Sequence, residues 1–425
     1  MAETLKTEVL VVGAGAAGIP AAIGAARVGA KVILIEEDSV IGGAVSDFYV
    51  DMFCGGPMRG VALEAQERLQ NLYPMNQKAR FFLPAHFQLV YGKLLEREKN
   101  ITVITGARAV EVLTKDGKKR PRVTGVRVER GGGNFSTIES GITIDATGSG
   151  IISILAGCRS MYGTESTGTF GEAHAPAKSS LKVQQCTWMY ISQRIKDGNP
   201  FDMMKLEHVR LGVLVNGVGW FHNDPEKAMK LDPGIFLHWG CAVECQDTRD
   251  PVEMARAQGE ALKAMERDLS LLSENGYAVY LAPRIGVREA GRIVGEHVIT
   301  ENDLRSGKLP EDTIAVGGYG LDIWGGNIKT SEAKVPLYGL PYRAIVPMDV
   351  DGLLLAGKII SGSHLAMSAY RVMPIVGSAG QAAGVGAAIS VRQRHEPREL
   401  DPKDLQKILK TPKQGEILSG SEISE

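Results

Sequence analysis

Residues 7–46 read TEVLVVGAGAAGIPAAIGAARVGAKVILIEEDSVIGGAVS, and their order decides the fold. Glu8–Val12 is a short apolar run that suits a buried strand. Gly13-Ala14-Gly15-Ala16-Ala17-Gly18 follows at once and opens a helix of small residues. Lys31–Ile35 makes a second strand that ends on Glu36-Glu37. In such a βαβ unit the first glycine permits the tight turn, the second lets a pyrophosphate approach the main chain, and the third lets the helix lie close on the sheet. The helix N-terminus offers free N–H groups and a positive dipole end to phosphate. Glu36 stands 18 residues beyond Gly18, where a carboxylate can accept from a ribose hydroxyl. The stretch therefore predicts a dinucleotide site in an α/β domain with a mostly parallel sheet.

Working outward, Gly42-Gly43-Ala44-Val45-Ser46 places two glycines just past the second strand, as in a loop pressed against a ligand. Helical patterns follow over 61–71 and 84–99, then strands over 101–104, 107–113, 123–130 and 136–144. The last runs into Asp145-Ala146-Thr147-Gly148, a second close main-chain approach. Residues 161–334 break this rhythm with longer polar loops, an aromatic strand at 187–191 and a charged helix at 251–275. The α/β style returns at Tyr338: Gly352–Ala356 is a short strand, Gly357-Lys358 ends it, residues 359–371 read as a loop, and Met373-Pro374 starts a Gly/Ala-rich helix to Gln393. The expected architecture is α/β: a Rossmann-like domain from residues 1–160 and 335–425, with an α+β substrate or cap domain inserted at 161–334.

Net charge is −1, which leaves no basic footprint for nucleic acid. No uninterrupted apolar run reaches the roughly 18 residues of a membrane span. The five cysteines, 54, 158, 186, 241 and 245, are scattered and odd in number, which suits reduced thiols in a cytoplasmic protein better than a disulfide framework. His238, Cys241 and Cys245 lack a fourth ligand and a second pair, so no metal is expected. Oligomeric state is not legible.

The opening unit alone suits NAD or FAD. A plain NAD domain closes within about 150–200 residues, whereas a second glycine-ended strand some 340 residues on suits an extended cofactor whose flavin end needs its own loop and helix. That helix would aim its positive end at the flavin N1–C2=O region. Taken with the run 283–303 (PRIGVRE, then RIVG) and the run 340–384 (PYR, LLLAGK, ISGSH, RVMP, GQAAG), the chain resembles the FAD-dependent oxidoreductases of the glutathione-reductase-like superfold. The resemblance implies FAD contacts at Gly13, Gly15, Gly18, Glu36, Gly43, Ser46, Gly357, Lys358 and Met373, with Ala146, Thr147 and Gly148 near the pyrophosphate. Ala16, Ala17, Glu37, Ala44, Ala109 and Val110 complete the cofactor-binding set. Lys358 stands where arginine is more usual in that family, which keeps a cation but loses its fork.

No second glycine fingerprint and no CxxC pair follow, so electrons are expected to pass between the flavin and a small polar organic substrate by hydride transfer at N5. A further electron acceptor or carrier would close the cycle. His364, in the loop before the flavin-facing helix, is the candidate acid/base, and Arg371 at the end of that loop the orienting cation. Arg288 and Arg292 stand four apart, on one face if helical, and suit a carboxylate or carbonyl oxygen; Tyr342-Arg343 is a further pair within reach. Cys54 could tether the flavin. Of Trp188, Trp220, Trp239 and Trp324, one could stack on substrate. Two alternatives stay open: an NAD(P)-dependent dehydrogenase, and a flavin-binding structural or sensor protein without turnover.

Overall fold

The computed structural model describes residues 3–72, 81–196, 201–213, 234–326, 328–329 and 331–418. Its centre is a seven-stranded sheet. β1 (Glu3–Val12) pairs in parallel with β2 (Val32–Ile35), and β2 with β3 (Ile101–Ile104). On its other side β1 pairs in parallel with β6 (Phe135–Asp145). β6 is long enough to serve two neighbours: Phe135–Glu139 pairs antiparallel with β5 (Arg122–Glu129), and Thr143–Asp145 pairs in parallel with Leu353–Leu355. β4 (Arg108–Lys115) closes that edge against β5. The central parallel strands are buried on both faces, so β2 reads as an unbroken apolar VILI rather than an alternating pattern.

Two helices seal one face. α1 (Gly18–Val28) and the helix Met373–Gln393 pack main chain to main chain. Side chains of Cβ size at Gly380 and Gly384 would stand 2.3 Å from the Ala17 carbonyl oxygen and 1.9 Å from that of Ala21. The small-residue composition of both helices is thus a packing requirement. Met373–Gln393 is long and apolar enough to cross a membrane, but 94% of its most apolar window is buried in the fold. Its apolar surface is used by the core.

A second core lies within residues 186–287. Leu211–Val213, Ile235–His238, Tyr190–Arg194 and Tyr277–Leu281 form an antiparallel sheet in that order. The helix Pro251–Glu274, capped by the Asp250 carboxylate, lies over it and buries Ala257, Ala261, Met265 and Leu272. Trp188, Tyr190, Phe236 and Tyr277 fill the space between. The stretch 161–334 holds this core and something more: Ile293, Ile299, Leu304, Ile314 and Leu321 pack in the first core with the parallel sheet. Thr313–Gly317 explains why, since it pairs antiparallel with Tyr338–Pro341.

Two local expectations are corrected. Residues 359–371 are not all loop: His364–Tyr370 is a helix, fully buried and capped by Ser363 Oγ, which accepts from the Ala366 N–H. The run from Arg288 to Arg292 is not helical, and Arg292–Ile293 pairs antiparallel with Ser160–Met161. Arg288 and Arg292 therefore do not share a helix face.

Candidate functional site

The glycine turn is built as an anion cradle. Gly13 has φ 105°, and a Cβ there would stand 2.5 Å from the Ala146 carbonyl oxygen. Gly15 faces Gly43, whose Cβ would lie 3.2 Å from the Gly15 Cα. No side chain caps α1. The N–H groups of Gly15, Ala16 and Ala17 find no acceptor among the described residues. Three unpaired donors at the end of an eleven-residue helix fit a diphosphate.

Glu36 closes β2 with its carboxylate fixed by the N–H groups of Ala14, at 2.6 Å, and Asp38, at 3.2 Å. Burial nevertheless lifts its pKa above the usual carboxylate value, and those N–H groups only offset it. Glu37 points outward beside Arg108. Ala109 and Val110 lie in β4, which begins next to Glu36 because the Ala107 N–H donates to the Glu36 carbonyl. At the end of β6, Asp145 accepts from the Thr147 hydroxyl and N–H and from the Ser153 hydroxyl and N–H, which fixes the turn at Thr147 and Gly148. Ser46 sits in the short helix Ala44–Phe48, donates to the Ile41 carbonyl and accepts from Gln88 Nε2.

The closing turn meets this cradle. Gly357 has φ 92°, and its Cβ would lie 3.6 Å from the Ala17 Cβ. Lys358 passes close to Gly148, with Cε 3.8 Å from where that residue's Cβ would be. Its Nζ donates to the Val287 carbonyl at 2.5 Å. The two glycine turns thus approach each other, and unpaired N–H donors, a buried carboxylate and a nearby lysine are the set of groups that an FAD site needs.

Lys358 and Met373 also line a cavity beside the second core. The side of the parallel sheet contributes Ala44, Lys358, Val372 and Met373; the antiparallel sheet and its flanks contribute Thr187, Met189 and Trp239. Tyr319, Asp322 and Trp324 line it as well, as do Arg210, Arg288 and Arg371. Arg371 Nη2 donates to Asp322 Oδ2 at 2.9 Å and to the Asp322 carbonyl at 3.1 Å. Tyr319 Oη and Trp324 Nε1 donate to the same carboxylate. Burial raises the Asp322 pKa, but Arg371, Arg288 and Arg210 outweigh it, and the carboxyl titrates below its ordinary value. The guanidiniums of Arg210 and Arg288 lie over the Trp324 ring, 4.1 and 3.8 Å from its centroid. Burial first, and the Arg371 charge second, push Arg288 down to about 9. Burial likewise takes Lys358 down to about 8.

His364 is not on this wall. It opens the helix His364–Tyr370, only 5% exposed, with Nδ1 2.8 Å from Glu289 Oε2 and its backbone N–H donated to Glu165. Glu289 also takes Arg292 and the Gln184 N–H. The ring is a buried, carboxylate-bound histidine one layer behind the cavity. Arg292 is paired with Glu289 and Glu165 and does not reach the cavity either. Tyr342 donates to the Pro397 carbonyl and Arg343 pairs with Asp312, both away from the site. Cys54 lines the cavity, and Trp239 and Trp324 face it. Trp188 spends its Nε1–H on the Ala282 carbonyl, and Trp220 lies outside the described residues. Cys241 and Cys245 are buried in the second core, with thiols on the Ala261 carbonyl and the Met254 sulfur.

Arg210, Tyr319 and Asp322 carry no local motif that marks them, whereas Trp324 is one of the four tryptophans named for stacking. The glycines of 317–326 are the one local feature around Tyr319, Asp322 and Trp324.

A protein-family model described as FAD dependent oxidoreductase matches residues 8–409. No curated protein matches the chain. Among solved structures, the chain is similar to a geranylgeranyl bacteriochlorophyll reductase-like protein of Thermoplasma acidophilum, at 14% identity and TM-score 0.46, covering 98% of this chain and 86% of that one. It is also similar to the p-nitrophenol 4-monooxygenase of Pseudomonas putida, at 11% identity and TM-score 0.43, covering 96% and 84%. A myxobacterial FAD-dependent halogenase gives 13% identity and TM-score 0.42, covering 95% and 78%. These likenesses are too distant to bear on activity; the family model spans nearly the whole chain and decides membership.

Proposed function

The chain belongs to the FAD-dependent oxidoreductase family, and from that premise we propose that it moves a hydride between a small polar organic substrate in the cavity and N5 of the flavin. FAD, when bound, supplies the two-electron acceptor or donor. Gly13, Gly15, Ala16, Ala17 and Gly18 would hold its diphosphate, Glu36 its ribose, and Gly357, Lys358 and Met373 its flavin end. The observation that carries the reading is the contact of the opening and closing glycine turns at Ala17 and Gly357. It sets the phosphate cradle beside the turn whose next residue, Lys358, lines the cavity of titratable groups.

Within that cavity Arg371, fixed by Asp322, orients a substrate oxygen. Lys358 takes over the proton role that the sequence suggests for His364. It lines the cavity, and with a pKa of about 8 both of its protonation states are accessible near neutral pH. In the direction of substrate oxidation, the neutral amine accepts a proton as the hydride leaves. Tyr319, its pKa raised by burial and by Asp322, stays a neutral hydroxyl donor. Apolar Phe48, Val50, Met52 and Met189 exclude water around these groups.

The test is spectroscopic. The purified protein should take up FAD and show flavin bands, and anaerobic mixing with a metabolite library should bleach them with at least one small polar compound. A colourless protein after reconstitution would remove the reading. So would bound flavin that every substrate pool leaves oxidised, the behaviour of a structural or sensor flavoprotein.

A further inference from the structure

The cavity has a charge imbalance that its own residues do not resolve. Arg210, Arg288, Lys358 and Arg371 line it against one carboxylate, Asp322. Asp322 is committed to Arg371, Tyr319 and Trp324. Arg288 places Nη1 on the Gln185 carbonyl, and its other N–H groups meet no acceptor among the described residues. The Arg210 guanidinium makes no hydrogen bond among the described residues, and its Nε is buried without a partner. Arg371 Nε is buried without a partner as well. Burying guanidiniums without acceptors is costly, and an acid that enters between them relieves both the desolvation and their mutual repulsion.

We propose that the substrate is an organic anion, a carboxylate on an apolar body, with the carboxylate held by Arg210 and Arg288 beside Trp324. This rests on the hydride-transfer reading and names the substrate class of the same cavity. The planar forks of the two arginines match carboxylate oxygens. Phe48, Val50, Met52 and Met189 supply the apolar wall for the rest of the molecule. The alternative use of these cations, holding the cofactor's diphosphate, suits Lys358 near Gly148 but not Arg210. Arg210 leads into the strand Leu211–Val213 of the second core, and its carbonyl accepts from the Trp239 N–H.

The experiment titrates the FAD-loaded protein with acetate, malonate and benzoate, each against its amide and against inorganic phosphate. Binding is read by flavin difference spectra and by calorimetry. At least one acid should bind about tenfold or more tightly than its amide and than phosphate, and added salt should weaken it. Arg210→Gln and Arg288→Gln should each weaken that acid by about tenfold or more while FAD affinity is kept, the scale of one lost charge-assisted hydrogen bond. The inference is overturned if no acid binds, if amides or phosphate match the acids, or if Arg210→Gln lowers FAD affinity and leaves acid binding unchanged. A protein that takes up no FAD defeats the hydride-transfer reading instead, and calorimetry on the cofactor-free chain still ranks acid against amide.

Discussion

Gly384 lies against the main chain of Ala21 so closely that a Cβ on it would stand 1.9 Å from the Ala21 carbonyl oxygen. This contact, repeated one turn earlier by Gly380 on Ala17, fixes the last long helix on the first. It thereby brings two glycine turns more than 300 residues apart in sequence into one site. Gly384→Ala must push the helices apart, and we expect a loss of about 1–3 kcal/mol, the usual cost of overpacking. FAD affinity should fall with it. The control is Gly92→Ala, on the helix Pro84–Arg97 with no atom within 4 Å of the added methyl. That change should be neutral or stabilise by about 0.5–1 kcal/mol, and urea unfolding of both variants checks the contrast.

Lys358 predicts the pH profile. Burial lowers its pKa first; the charges of Arg371 and Arg288 act in the same direction, while Cys186 and Glu289 oppose them, leaving it at about 8. The neutral amine predominates above that value. Substrate-driven flavin reduction should therefore rise as pH climbs through about 8 and level off beyond it. In Lys358→Met, loaded with saturating FAD, the rise should vanish. Stopped-flow traces from pH 6 to 10 decide, and a profile that survives the substitution assigns the proton elsewhere.

His364 and Glu289 make a separable prediction. The histidine ring satisfies a carboxylate that is completely buried, so His364→Ala leaves Glu289 short of a donor. We expect about 1–3 kcal/mol of lost stability. The limb near pH 8 in substrate-driven reduction should persist. A variant of unchanged stability that has lost that limb would return the acid/base role to His364.

Asp322 carries the acid side of the pH dependence. Its folded-state pKa lies below the unfolded value of 3.8 because three arginines outweigh its burial. Its contribution to stability is thus fully present above that value and is lost as pH falls through the folded-state value. The side chain is 34% exposed, so solvent screens the effect. Asp322→Asn should cost about 1–3 kcal/mol at pH 7, since it strands Arg371, and should differ less from the parent at pH 3. Denaturant titrations at the two pH values measure the difference.

The parallel sheet was legible because its evidence is local. β2 is a continuous apolar run, the glycines of the first turn are spaced by the geometry of a strand entering a helix, and the GLLLAG return repeats that grammar. His364 was misplaced for a physical reason that a local pattern misses. Its run, SGSHLAMSAY, lacks the polar face of an amphipathic helix because the helix is buried all round. Arg288 and Arg292 were paired by a spacing that means neighbours only on a helix, and the chain there is not helical.

By itself, then, the amino-acid order determined the βαβ opening, the returning strand and helix, and the cofactor class that needs both. Those depend on main-chain geometry, which glycine spacing and apolar periodicity write directly into the chain. Only the tertiary structure decided which charges share a cavity. Arg210, Arg288, Lys358 and Arg371 come from separate stretches, Asp322 and Trp324 from a further one, and their meeting depends on how the second core packs across the first. No short-range pattern encodes that packing, because the energy that selects it is the burial of whole surfaces rather than the preference of any one segment.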